Sequence, residues 1–507
     1  MNHDSTASQR GYWVSEMIVQ EGAYGVVSQI SQSHGVSRQT LSTWKAKGQA
    51  AMQGALRPKE QTGKAPQKER AILTLLVEGH ASYRGIQVCL EELLGEHVSL
   101  ATIVSIVQQA GKRAQEWMSR QKSVTADCAV ALDEQYSSKR GEGYLNVVDV
   151  HSSMVWASVP PVAVDGESWT VLLWYLQEQG VIWQTAVTDG GQAMQEALRS
   201  METACKQQRD VWHILHLGSQ IQGRVDRYLG KLQDQLPTVQ RQAQRVAQGK
   251  KALGANPHTD VQAHQAQMKQ AEYIASGLNY LRAQLRRLLE VVVLGERSNQ
   301  GILDSQSRQS ELETVVHLLV QLEHDAPAAL AGEIQSLHKH LRLALPHLLL
   351  FATGLDQLQR QISLDLGEES VHLIGWAWLR RRILGPSITE LLKGFPPPWQ
   401  PLAEQLLRAW DRAVRASRVV ENWHSILRPH LAVHRRLTAP MLALLAVWHN
   451  HRVAPRGLHE GQSPLQRSGL TKLSTDWLTV LGYPPVSSDS AIRRHVPLEP
   501  QQEILAA

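Results

Sequence analysis

A chain of 507 residues, 43% of them hydrophobic, exceeds the size at which one core keeps growing, so several domains are expected. Lys and Arg number 52 against 47 Asp and Glu, a net charge of only +5, so any surface for a polyanion must come from local clustering. Cys89, Cys128 and Cys205 lack CxxC spacing, which excludes a disulfide framework or thiolate zinc site and fits a reducing cytoplasm; the most apolar stretch, Leu341 to Leu355, is broken by Arg342, Pro346 and His347, so no membrane partner is expected.

Residues 1 to about 22 are polar and read as loosely ordered, with regular structure starting near Tyr24. Over residues 1–57 the stretch VVSQISQSHGVSRQTLSTWKAKG has the pattern of a helix-turn-helix. Val27 and Ile30 give an apolar face, His34-Gly35 a turn, and Ser37 a cap for a second helix anchored by Leu41 and Trp44. That helix turns Arg38, Gln39, Thr40, Thr43, Lys45 and Lys47 toward a partner, side chains suited to base edges and phosphates. An ordinary helical hairpin gives the same pattern. A linker at Pro58 to Pro66 leads to a second three-helix segment at 67–120, with helices at Glu69 to Val77, Tyr83 to Leu94, and from Ser99 to Gly111-Lys112-Arg113. It reads equally as a second helix-turn-helix or as a spacer.

Within 125–220 the period changes from helix to strand. CAVALDEQY reads as a buried strand and GYLNVVDVHSSMVWASV as a hairpin. A helix (Glu167 to Gln179), a strand (Trp183 to Thr188), a helix (Ala193 to Cys205) and a strand (Val211 to Leu215) follow. Three consecutive strands and then strand-helix alternation predict a mixed sheet covered by helices, and the order resembles the first half of a ribonuclease H fold. Residues 221–410 show helical periodicity alone, predicting an all-α insertion. In 411–455 a helix runs to about Leu427, ended by Pro429, and another starts near Thr438; the tail, 456–507, is expected to wrap the surface.

Cutting a phosphodiester requires an activated oxygen and neutralisation of a crowded anionic transition state, which two Mg²⁺ (or Mn²⁺) ions held by three carboxylates can supply. Asp133 ends an apolar strand run, and Asp189 follows a strand and precedes Gly190-Gly191, where backbone can approach a substrate. Each alone could be a turn residue. On its helix Glu421 shares a polar face with Arg418, Ser425 and Arg428, opposite Val419, Trp423 and Ile426; a solvated ion-pair stripe would look the same.

The blocks DEQYSSKRGEGYLNVVDV, AVTDGGQAM and VVENWHSILRPHL, followed by HNHRVAPRGLHEGQSPLQRSG, resemble the catalytic blocks and C-terminal signature of DDE transposases. The likeness covers residues 127–217 and 415–467, and an insertion before the Glu is similar to hAT, Mutator-like and related bacterial insertion-sequence transposases. It implies catalytic, metal-binding Asp133, Asp189 and Glu421, with Arg418 and Arg428 in support. It also implies a strand motif matched by Asp210-Val-Trp-His213, near the site rather than on the metal, and an insertion tryptophan, Trp376 or Trp378. Double-stranded DNA (element ends and target), a homo-oligomer on DNA and a bacterial, nucleoid-associated location complete the expectation. A domesticated regulator without chemistry and a nuclease without strand transfer are the alternatives. His338, His340, His449 and His451 lack acidic or Cys partners at ligand spacing and read as surface or satisfied residues.

Overall fold

The computed structural model describes residues 6–20, 25–56, 65–123, 128–201, 205–253, 259–385, 387–457 and 459–483. The chain divides into two compact units, one ending at Arg70 and one running from Ala71 to Pro485.

In the first unit the N-terminal stretch is not loosely ordered but helical, α1 (Ala7–Val19), opened by a capping box in which Thr6 and Gln9 exchange hydrogen bonds. Trp13 and Met17, four residues apart, give it a buried stripe that the surrounding polar residues mask in the sequence. Helix α2 (Val26–His34) ends at Gly35, whose φ of +66° suits glycine, and α3 (Arg38–Leu56) begins where the Ser37 hydroxyl accepts from the Thr40 N–H at 3.1 Å. Ile30 and Leu41 are buried; Arg38, Gln39, Thr43 and Lys47 are exposed, and Thr40 and Lys45 half-buried. The linker expected at 58–66 lies outside the described residues up to position 64.

The second unit starts within α4 (Ala65–Val77) and continues through α5 (Tyr83–Leu94) and α6 (Leu100–Ser119). Helix α6 does not stop at Gly111: a Cβ there would lie 2.5 Å from Pro440 Cβ, so this glycine marks a close helix crossing rather than a helix end. The strands and their helices follow in the order β1 (Ala129–Tyr136), β2 (Glu142–Asp149), β3 (Val155–Ser158), β4 (Val162–Ala163), α7 (Gly166–Glu178), β5 (Thr185–Thr188), α8 (Gln192–Ser200) and β6 (Lys206–Arg209). They form a mixed open sheet of order β3-β2-β1-β5-β6, with β4 on β2; β1 is antiparallel to β2 and parallel to β5, and β5 parallel to β6.

The expected strand at Val211 to Leu215 is instead the first turn of a helix. Val211 and Ile214 are three residues apart and buried on one helical face, and a short apolar run does not distinguish the two states. The last strand is the polar segment Lys206–Arg209, whose Gln208 side chain donates to Leu348 O and accepts from Phe351 N, both at 2.9 Å, so side-chain bonds cover this edge.

The insertion comprises α9 (Val211–Ala247), α10 (Val261–Leu288), α11 (Ser305–Asp325), α12 (Ala328–Leu348), α13 (Leu350–Leu366), α14 (Glu368–Leu379), α15 (Arg381–Leu384), α16 (Ser387–Lys393) and α17 (Gln400–Asp411). Helices α9 to α12 share one apolar core, and α13, α14 and α17 another. The chain then returns as α18 (Arg418–Val433), α19 (Ala439–His451), α20 (Pro464–Arg467) and α21 (Trp477–Val480).

Helix α18 runs through Pro429 instead of ending before it, because the turn beyond the proline buries His430. Its buried face is Val420, Trp423, His424, Leu427 and His430, one position away from the expected Val419, Trp423, Ile426. The tail as far as Tyr483 does not only wrap the surface: Trp477, Leu478, Leu481 and Tyr483 are buried in the core shared by α6, α18 and α19, and later residues lie outside those described.

Alternation along the strands splits the core in two. Ala131, Tyr144, Val148 and Val187 face α18 and α19, while Val130, Leu132, Leu145 and Val147 face α7 and α8. Asp133 follows Ala131 in parity and so points toward α18. Among the described residues no helix is long and apolar enough to cross a membrane.

Candidate metal centre

Asp133 lies on β1 opposite Asn146 of β2 and is only 7% exposed. Extending the parallel β1–β5 register by two residues beyond Ala131 and Val187 sets Asp133 beside Asp189, one strand over. From above, α18 brings in Glu421: one ligand atom each from Asp133, Glu421 and His424 lie within 4.8 Å of one another. Asp189 is outside that group, yet its charge acts on Asp133. Burial, then Asp189, Glu134 and finally Glu421 push the Asp133 carboxyl up to about 8, against the Glu134 N–H donated to Asp133 Oδ1 at 2.9 Å. Glu421 is 38% exposed and shares Oε2 with Arg428 Nη2 at 3.1 Å, which weakens its pull on Asp133. A carboxyl that holds its proton because it is buried, with further acids beside it, is one that could help hold a cation. The donors are hard oxygens, suited to Mg²⁺ or Mn²⁺.

His424 is fixed by its neighbours. The Trp423 indole N–H can only donate, and it reaches Asn146 Oδ1 at 3.0 Å, an oxygen that also accepts from Ser158 Oγ at 2.7 Å. The Asn146 amide nitrogen therefore faces Tyr144 O (3.0 Å) and His424 Nε2 (3.1 Å), donating to both. Burial pulls His424 down to about 4, so the ring is neutral with Nε2 as acceptor and the proton on Nδ1. Nδ1 lies 3.9 Å from Glu421 Oε2. His424 thus presents a donor to the carboxylate and has no lone pair free for a cation, which leaves the carboxylates as ligands.

Asp210 explains how residues 421 − 189 = 232 positions apart can approach. It is the N-cap of α9, accepting from Trp212 N at 2.6 Å through Oδ1, and its Oδ2 accepts from Ser417 N at 2.9 Å and from the Ser417 hydroxyl. Val211 N also donates to Arg415 O at 3.0 Å. The departure of the insertion is thereby tied to its return, one residue before α18 begins. His213, expected on a strand end, sits in the first turn of α9, its Nε2 3.9 Å from Asp210 Oδ2 and without a hydrogen bond among the described residues. Arg418 is exposed beside Glu421, Ser417, Asp210 and the half-exposed Trp212, around a cavity of about 410 Å³.

A second cleft, about 670 Å³, opens at Asp189, Gly190, Arg209 and His213. Gly190 has φ +81°, and a Cβ there would fall 0.7 Å from Arg209 Nη1, so the guanidinium lies against the loop that follows Asp189. Burial pulls Arg209 down from its ordinary value, while Asp189 and Asp210 hold it up.

His424, Asn146 and Arg209 escape a reading of the sequence alone. His424 is three residues after Glu421, a helical-face spacing that could have flagged it, whereas Asn146 and Arg209 carry no local signal. Trp378 is buried and donates to Asp411 Oδ1 at 2.9 Å, while Trp376 is half-exposed under Arg380. His338 bonds Glu323 at 2.6 Å, His449 bonds Ser153 O at 2.9 Å, and Asn450 both donates to and accepts from the Val155 backbone. Compared with known proteins, the chain matches no family model and no curated protein.

Proposed function

We propose that the chain is a DDE-type DNA transposase with a ribonuclease H-like core interrupted by a helical insertion. One observation carries the reading: Asp133 and Glu421, 421 − 133 = 288 residues apart, bring carboxylate oxygens within 4.8 Å, beside Asp189 on the neighbouring strand. Like charges converge in this way at a cost unless a cation or a shared proton holds them. The strand order, with β2 antiparallel and β1 beside β5, agrees with the fold, and α2, α3 and the exposed Arg38 and Gln39 suit a DNA-reading hairpin.

Asp133, Asp189 and Glu421 would hold the divalent cations, Mg²⁺ or Mn²⁺, which supply Lewis acidity and charge neutralisation at the phosphodiester. His424 Nδ1–H would orient Glu421 once the two close from 3.9 Å, Asp210 fixes the start of its helix, and Arg418 and Arg209 stand where the anionic strand enters. In the first step a water oxygen bonds to phosphorus as the P–O3′ bond breaks and the 3′ oxygen takes a proton. In the second, that 3′ hydroxyl attacks a target phosphodiester, and the displaced oxygen takes its proton. Incubating the pure chain with DNA flanking its own coding sequence and Mg²⁺, then sequencing the ends, tests this. Discrete cuts with joined products are expected; intact DNA under conditions where the protein binds it would refute the reading.

A further inference from the structure

The longest helix of the insertion carries a polar stripe that begins at the candidate centre. On α9, His213, His216, Gln220, Arg224, Arg227 and Lys231 recur at intervals of three or four residues, so they lie on one face. At 1.5 Å per residue the 231 − 213 = 18 steps span about 27 Å. Antiparallel to this face, α12 presents His347 and His340 near His213 and His216, and Glu333 near Arg224. Two cavities follow one another along the groove: the cleft of about 670 Å³ at Asp189 and Arg209, then one of about 680 Å³ at Arg224, Arg227 and Lys231.

The charges along this groove are unbalanced. Arg224 is paired with Glu333, but Arg227 and Lys231 are exposed and make no ion pair among the described residues; Asp234 is the other acid beside them. The inner end holds Arg209 and neutral donors of the kind that bond phosphate and sugar oxygens. A row of this form, open to solvent and continuous with an acidic centre, matches a linear polyanion rather than a compact ligand.

We infer that the α9–α12 groove is a track for the sugar-phosphate backbone of one DNA strand, leading from the centre at Asp189 outward past Arg227 and Lys231. The inference rests on the transposase reading and extends it by naming the path of the strand.

The test uses the full-length protein and a labelled duplex carrying the flanking DNA, with binding measured against salt and the contact mapped by hydroxyl-radical footprinting. Arg227→Ala with Lys231→Ala alters exposed side chains outside the centre, and unchanged thermal melting checks that the variant folds. The double variant is expected to reduce the slope of log K against log salt by about 2 and to lose protection over the part of the strand farthest from the centre. An unchanged slope and footprint, with wild-type binding and cutting intact, would overturn the track and leave the transposase reading standing. A wild-type protein that binds no flanking DNA at any salt would overturn both.

Discussion

Asn146 ties the chemistry of the site to its packing. All four of its amide bonds are made, to Trp423, Ser158, Tyr144 and His424, and together they decide which imidazole nitrogen faces Glu421. Replacing Asn146 with Asp substitutes an acceptor for the amide donor and should move the proton from Nδ1 to Nε2, removing the N–H that faces Glu421. A loss of about 10- to 100-fold in DNA cleavage rate is expected, of the size seen when a supporting partner is removed from a metal site. His424→Ala should fall at least as far, while His424→Asn, which can keep a donor near the same place, should retain more activity. Metal-dependent cutting at the wild-type rate in both Asn146→Asp and His424→Ala would show that His424 does not orient the centre. Single substitutions Asp133→Asn, Asp189→Asn and Glu421→Gln are each expected to lower single-turnover cleavage by about a thousandfold, several kcal/mol of transition-state stabilisation, with flank binding retained.

At the scale of elements, α18 and α9 matter through their starts. Asp210→Ala leaves the buried Ser417 N–H and the first turn of α9 without their acceptor, a loss of about 2 to 4 kcal/mol from an unsatisfied buried donor and a missing cap. A fall of several degrees in Tm is expected, with cleavage reduced further than stability alone explains because Glu421 loses its anchor. Activity and Tm both at wild-type values would remove that role.

Buried histidines on α18 and α19 make stability depend on pH. Burial holds His424, His430 and His449 at about 4, below the unfolded value of about 6.5. Between these values the unfolded chain binds more protons, so stability is full above about pH 6.5 and falls as pH drops toward 4, by up to about 1.4 kcal/mol per pH unit for each such group. Among the described residues His430 has no hydrogen bond on either ring nitrogen, so His430→Phe is expected to flatten this acid-side decline in Tm and to raise Tm near pH 5. An equally steep decline in the variant would show that His430 is not among the groups responsible.

Across the whole molecule, elements that declare themselves over short windows were legible. The apolar strand runs of β1 and β2, the Ser99 and Thr438 helix starts, and the long apolar periodicity of the insertion need no distant partner to be seen. What was not legible depends on distant residues. Gly111 reads as a stop until Pro440 is placed on it, and Pro429 reads as a stop until His430 is seen to be buried beyond it. Val211 reads as strand until the polar β6 takes the sheet edge, and α1 hides its two buried residues among polar ones. The acids themselves were visible as residue types, but their approach depends on Asp210 and Ser417, 417 − 210 = 207 residues apart, and no local pattern encodes that bond.

The central claim is that Asp133, Asp189 and Glu421 form one centre for divalent cations, and anomalous scattering from Mn²⁺ in crystals of the full chain tests it most directly. The predicted result is density bridging Asp133 to Asp189 and Glu421, with Glu421 drawn away from Arg428, His424 Nδ1 outside the coordination sphere, and the density lost in Asp133→Asn. Density ligated by His424 Nδ1, or none at Asp133 with Glu421 still paired to Arg428 at saturating Mn²⁺, would contradict it.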